Sequence, residues 1–126
     1  MKIVKASKLV YIPASHESPQ NPGVLKKILA KRDDLLEGRI QMINWALLPT
    51  GKAFEAHYHE DMQEIFIILS GEAQIMIGSE VETLTKGDAV FIQPRAVHVM
   101  KNMGKIDVEY IALGISQEGT GKTINV

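Results

Sequence analysis

Almost every apolar stretch in this chain is short, rich in isoleucine and valine, and ended by glycine or proline within about ten residues. An amphipathic helix needs apolar residues recurring every three or four positions over a dozen or more, and no segment sustains that pattern. Short β-branched runs between turn formers dictate extended chain instead. The candidate strands are Lys2–Ile12, Val24–Ala30, Arg39–Leu48, Phe54–His59, Glu64–Ser70, Glu72–Ile77, Val81–Thr85, Ala89–Gln93, His98–Asn102 and Asp107–Ile115, with Gly71, Gly78, Gly87 and Gly104 in the breaks. Val24–Ala30 fits helix or strand on pattern alone and is read as strand from its surroundings. Pro13–Gly23 (PASHESPQNPG) holds three prolines and no periodicity, and reads as a loop. So many short strands with turn signals this frequent predict an all-β sandwich or barrel.

At 126 residues the chain is the size of one domain, spanning 1–126, with N-terminal strands within 1–48. The domain closes by about Ser116, leaving a short polar tail, Gln117–Val126. Apolar residues make up 45% and charged residues 23%, an ordinary globular composition with a formal charge of -1. A nucleic-acid binder needs a basic surplus for phosphate contacts, so that class of partner is not expected. There are no cysteines, which excludes disulfides, thiolate metal ligands and a thiol nucleophile. Lysines interrupt the first eleven residues, which do not read as a signal peptide, and the expected location is cytoplasmic. The longest wholly apolar run, Ile65–Leu69, is far too short to cross a membrane. That run is apolar on both faces. It reads either as a central strand covered on both sides or as a strand whose outer face meets a second copy, and a homodimer is the favoured state.

Four histidines occur, at 16, 57, 59 and 98. His57 and His59 stand two apart in a candidate strand, so both imidazoles project from one face. Glu64 opens the next strand, and a hairpin through Glu60–Gln63 could set its carboxylate beside them; His98 opens a later strand. Three imidazoles and a carboxylate suit a divalent transition metal with a position left open. An H-x-H pair alone is a weak signal, because most strand histidines ligate nothing. His16, in the proline-containing loop, is expected to be exposed to solvent.

Gly51–Gly71 reads GKAFEAHYHEDMQEIFIILSG, and Gly87–Asn102 reads GDAVFIQPRAVHVMKN. The first resembles cupin motif 1, G-x5-H-x-H-x4-E-x6-G, at every position. The second is similar to motif 2, G-x5-P-x-G-x2-H-x3-N, but carries Gln93 in place of the proline and Arg95 in place of the glycine. The resemblance implies a double-stranded β-helix, or jelly-roll, barrel. It also implies that His57, His59, Glu64 and His98 ligate one divalent transition metal per chain: Mn, Fe, Zn, Ni, Co or Cu. Parity then turns Phe66 and Met100 inward near the metal, where they either fill the barrel or line the pocket, with filling the favoured reading. Asn102 is expected to tie down a turn, and Arg95 to be either an anion contact at the barrel mouth or a solvated turn residue.

The function implied is that of a metal-dependent enzyme acting on a small polar molecule by isomerase, dioxygenase or decarboxylase chemistry. The alternative is a metal- or ligand-binding module without turnover, serving as a sensor or store. No separate catalytic base is visible. Gly119–Thr123 (GTGKT) mimics the end of a phosphate-binding loop, but it lacks the required upstream glycine and the following helix. There is no G-x-S-x-G elbow and no helix-turn-helix pattern.

Overall fold

A computed structural model of the chain describes residues 1–117 and 121–126. The strands among them are β1 (Ile12–Pro13), β2 (Leu25–Lys31), β3 (Ile40–Leu48), β4 (His57–His59), β5 (Met62–Ser70), β6 (Ala73–Ile77), β7 (Glu80–Leu84), β8 (Ala89–Ile92), β9 (His98–Asn102), β10 (Val108–Ser116) and β11 (Thr123–Asn125). Two single-turn 3₁₀ helices, Ala6–Lys8 and Arg32–Asp34, complete the regular structure. No helix among the described residues is long and apolar enough to cross a membrane.

The strands form two antiparallel sheets of a double-stranded β-helix. The first has the order β1-β2-β3-β10-β5-β8 and the second β11-β4-β9-β6-β7. Strict alternation of buried and half-buried residues runs through β9 and β10, as a sheet with one face on a core requires. Leu48, Ile68, Met100 and Val108 are fully enclosed between the sheets. The β5–β6 turn depends on Gly71, whose φ is +81°; a Cβ there would lie 2.8 Å from the Asp107 carbonyl oxygen.

Three expectations need correction. Lys2–Ile12 is not a strand: only Ile12 and Pro13 pair with β2, and the stretch before them contains a 3₁₀ turn and leaves Ile3, Val4 and Val10 exposed. Its lysines break the alternation that would give it an apolar face to bury. The tail does not lie outside the sheets either, because Thr123–Asn125 pairs with His57–His59 as an edge strand. Within the GTGKT stretch, Gly119 and Thr120 fall outside the described residues. Finally, β4 and β5 do not form a hairpin. They belong to opposite sheets, and the turn between them crosses the sandwich. In β5 the side chains of Phe66 and Ile68 point into the core, while Ile65, Ile67 and Leu69 are half-buried on the outer face, where Ile65 pairs with the 58%-exposed Phe91.

Candidate metal centre

The crossing between β4 and β5 is what assembles the site. His57 and His59 come from β4, and His98 sits directly across the ladder from His57 on β9. Glu64 reaches the same point from β5 in the facing sheet. All four are buried, none more than 5% exposed, and their ligating atoms lie within 4.8 Å of one another. The sequence named each of the four, and the fold brings all four together.

Every ring is oriented by a bond on its far side. His57 Nδ1–H donates to the Glu55 carbonyl at 2.6 Å, and His98 Nδ1–H donates to the Ala96 carbonyl at 2.9 Å. His59 Nδ1 lies 2.9 Å from the Thr123 hydroxyl. These bonds leave Nε2 of each ring as the atom facing the cluster, the arrangement found in ligating histidines. His59 Nε2 and His98 Nε2 lie 2.8 and 3.2 Å from Glu64 Oε1. His57 Nε2 is buried with no hydrogen-bond partner among the described residues. An unpartnered buried nitrogen is costly, by roughly 1–3 kcal/mol, unless something occupies its lone pair. A divalent metal ion fits that requirement.

Thr123 therefore belongs to the site although it lies in the tail. Thr123→Ala is expected to weaken metal binding by about 10–100-fold, as loss of an outer hydrogen-bond partner does. A competition titration against a chelator with a coloured metal complex would check it, and an unchanged affinity would remove Thr123 from the site.

The electrostatics describe the metal-free state. Burial alone would push the Glu64 carboxyl up, but hydrogen bonds and charge from His59 and His98 outweigh it and hold it at about 2. Burial, with the His16 and His98 rings nearby, pushes His57 down to about 3 against the opposing bond to Glu55. Both groups bind protons more weakly folded than unfolded. Their contribution to stability is complete above the unfolded values of 6.5 for His57 and 4.5 for Glu64, and it drains away as pH falls toward 3 and 2. Of these two groups, His57 supplies nearly all of an expected loss of about 2 kcal/mol in metal-free protein between pH 7 and pH 5, and the lowered His16 adds to it in the same direction. Melting in the presence of chelator across that range reads this loss; a flat profile would contradict it.

His16 is not at the surface, contrary to expectation. Its ring stacks on His57 with centroids 3.9 Å apart, and its side chain is only 15% exposed. The cause is Glu17. That buried carboxylate lies 2.8 Å from His16 Nδ1, and it accepts the backbone N–H groups of Gly23 at 2.7 Å and Glu55 at 2.8 Å. The Pro13–Gly23 loop is thereby pinned over the cluster. Gly23 is required because a Cβ would run into the Ala53 carbonyl. A histidine beside an acid in a loop was the only hint available in the sequence.

Arg95 takes the left-handed φ of +67° that the motif's glycine would adopt freely, and its N–H donates to the His59 carbonyl at 2.7 Å. Its side chain is exposed and stands apart from the cluster, as a turn residue's would. Asn102 does bind a turn: its amide donates to the Leu48 and Ile106 carbonyls, and its Oδ1 accepts from Gly104 N–H.

Beside the cluster opens a cavity of about 290 Å³ whose wall includes His16, Lys26, His59, Glu64, Phe66 and Tyr110. This is at the lower end of the roughly 300–1,000 Å³ typical of small-molecule sites. Phe66 lines it, as parity suggested. Met100 does not. Two residues beyond His98, it points inward but is sealed in the apolar core opposite Ile75.

The family profile described as "Cupin domain" matches residues 44–114, more than half of the chain. The chain belongs to the cupin family. Among solved structures, this cupin is similar to a predicted oxalate decarboxylase from Thermotoga maritima, with a TM-score of 0.80 and 24% identity over 91% of this chain and 99% of that one. It also resembles a double-stranded β-helix protein from Klebsiella pneumoniae, with a TM-score of 0.74 and 17% identity, covering 100% of this chain and 97% of the other. At these identities both likenesses describe the fold. By sequence, the cupin is 24% identical over 111 residues to an uncharacterized protein of Methanocaldococcus jannaschii, covering 88% of this chain and 85% of that protein. It is 26% identical to the mannose-1-phosphate guanylyltransferase RfbM of Salmonella typhimurium, where the match covers 66% of this chain but 17% of the enzyme. The cupin thus corresponds to a small part of that enzyme.

Proposed function

We propose that this cupin binds one divalent transition metal through His57, His59, Glu64 and His98 and uses it on a small polar molecule held in the adjoining cavity. The observation that carries this reading is His57 Nε2, a buried nitrogen with no partner, on a ring whose other nitrogen is already committed to Glu55. The metal would supply Lewis acidity toward a carbonyl or carboxylate oxygen, or a platform for an oxidant. The chain supplies the rest. Glu55, Ala96 and Thr123 hold the three rings in orientation, and His16, clamped by Glu17, covers one face of His57. Phe66 closes the apolar side of the cavity.

Isomerase, dioxygenase and decarboxylase chemistry all use such a site. The T. maritima neighbour bears a decarboxylase description and the Salmonella relatives a sugar-phosphate one; neither likeness selects among the three.

The test is element-resolved metal analysis of untagged protein, as purified and after anaerobic reconstitution with Fe(II) or Mn(II). Near one metal per chain supports the reading, and the element ranks the reactions: iron for dioxygenase, manganese for decarboxylase, zinc for isomerase chemistry. No metal under any condition overturns it in favour of a metal-free ligand-binding module.

A further inference from the structure

The inner face of the first sheet is hollowed by small side chains. Ala46 of β3 and Ala112 of β10 sit at inward positions among bulky neighbours, and both form part of the cavity wall. Across this hollow run the ladder partners Lys26, Ala46 and Tyr110, contributed by β2, β3 and β10. Alanine between a lysine and a tyrosine leaves the two long side chains free to converge on the space above it. Both line the cavity that also contains His59 and Glu64.

Neither polar end is satisfied. Among the described residues the Lys26 ammonium makes no hydrogen bond or ion pair, although the residue is half-buried; burial disfavours its charge and Glu64 favours it. The Tyr110 hydroxyl, on a side chain only 3% exposed, likewise makes no hydrogen bond among the described residues. Burial and the Glu64 and Glu17 carboxylates raise its pKa far out of the ordinary range, so it remains a donor. Glu64 is bonded through Oε1 to His59 and His98, and among the described residues it makes no hydrogen bond to Lys26 or Tyr110. A half-buried cation and a hydroxyl open to the cavity, both unpaired among the described residues and both facing one space, are complementary to an anion from outside.

We propose that Lys26 and Tyr110 form the recognition site for the substrate's carboxylate, so that the molecule entering the cavity is a small organic acid. The proposal rests on the metal reading above for the other end of that molecule. One ammonium and one hydroxyl donor match the two oxygens of a carboxylate. Arg32 also lines this cavity.

The experiment uses untagged protein loaded with Co(II), whose visible spectrum reports a ligand reaching the metal. Malonate, its neutral diamide and inorganic phosphate are the probes. Lys26→Met is expected to raise the malonate midpoint roughly tenfold or more, the worth of one charge-assisted hydrogen bond. Tyr110→Phe should raise it less, and Lys26→Arg should restore most of the loss. Cobalt stoichiometry and the malonamide response should be unchanged in all three. An unchanged malonate midpoint in Lys26→Met, an equal loss of malonamide response, or phosphate binding tighter than malonate would overturn the assignment. If no cobalt is taken up, the metal reading fails, and the Lys26 site is read in metal-free protein. There malonate should raise the melting temperature of the wild type and not of Lys26→Met, and equal shifts would overturn it.

Discussion

His57→Ala is expected to take the protein from about one metal per chain to none measurable, while its β-rich circular dichroism persists. The ring contributes a nitrogen that nothing else in the fold satisfies, so its removal deletes a ligand without leaving a new buried donor behind. The loss should exceed the roughly 10–100-fold expected for an outer partner such as Thr123. It should also be visible in stability. Metal at about 1,000 times its dissociation constant adds about 4 kcal/mol to a protein that binds it only when folded. In a domain of this size that is roughly 15 °C in Tm. The wild type should show this rise and His57→Ala should not. A variant that still melts higher with metal would remove His57 from the ligand set.

The second large effect is predicted far from any ligating atom. Gly23→Ala places a Cβ against the Ala53 carbonyl and 2.8 Å from Glu17 Oε1, and backbone cannot step aside as a flexible side chain would. The collision also threatens the bond from Gly23 N–H to Glu17, and with it the clamp on His16. A loss of about 3 kcal/mol or more is expected, or roughly 12 °C in Tm. Gly38 serves as the control. A Cβ there would make only an ordinary contact, 3.8 Å from the Leu36 carbonyl oxygen, so Gly38→Ala should be neutral or slightly stabilising. Equal melting of the two variants would show that the loop yields, and that Glu17 does not anchor it.

How much of this was legible follows from what each residue's placement depends on. His57, His59, Glu64 and His98 were readable because strand parity and motif spacing are properties of local sequence. His98 opens β9 as expected, and the alternation through Asn102 follows from it. His16 was misjudged because a loop has no period to aim a side chain. Its burial is decided by Glu17 bonding to Gly23 and Glu55, contacts invisible in the residue order. Thr123 sat in a polar tail whose composition shows nothing of the edge of β4 waiting for it. Lys26 is the subtler case. It adjoins Lys27 in a strand, so one of the two had to point inward, and only the register with Ala46 decides which. The crossing of β4 to β5 between sheets escaped for a related reason, since a short turn can close a hairpin or span a sandwich.

The long reach of the site's contacts also sets when it can come into being. Glu64 and His98 are 34 positions apart, and His59 is 64 positions from Thr123. At the roughly 5–20 residues per second of translation, the two β4 imidazoles emerge several seconds before the hydroxyl that steadies one of them. Until then β4, three residues long, has no β11 to flank it. An ion arriving at the nascent chain meets histidines without a frame, where it could be shed or exchanged. A metal at this site would therefore settle in its full frame only once β11 has joined β4.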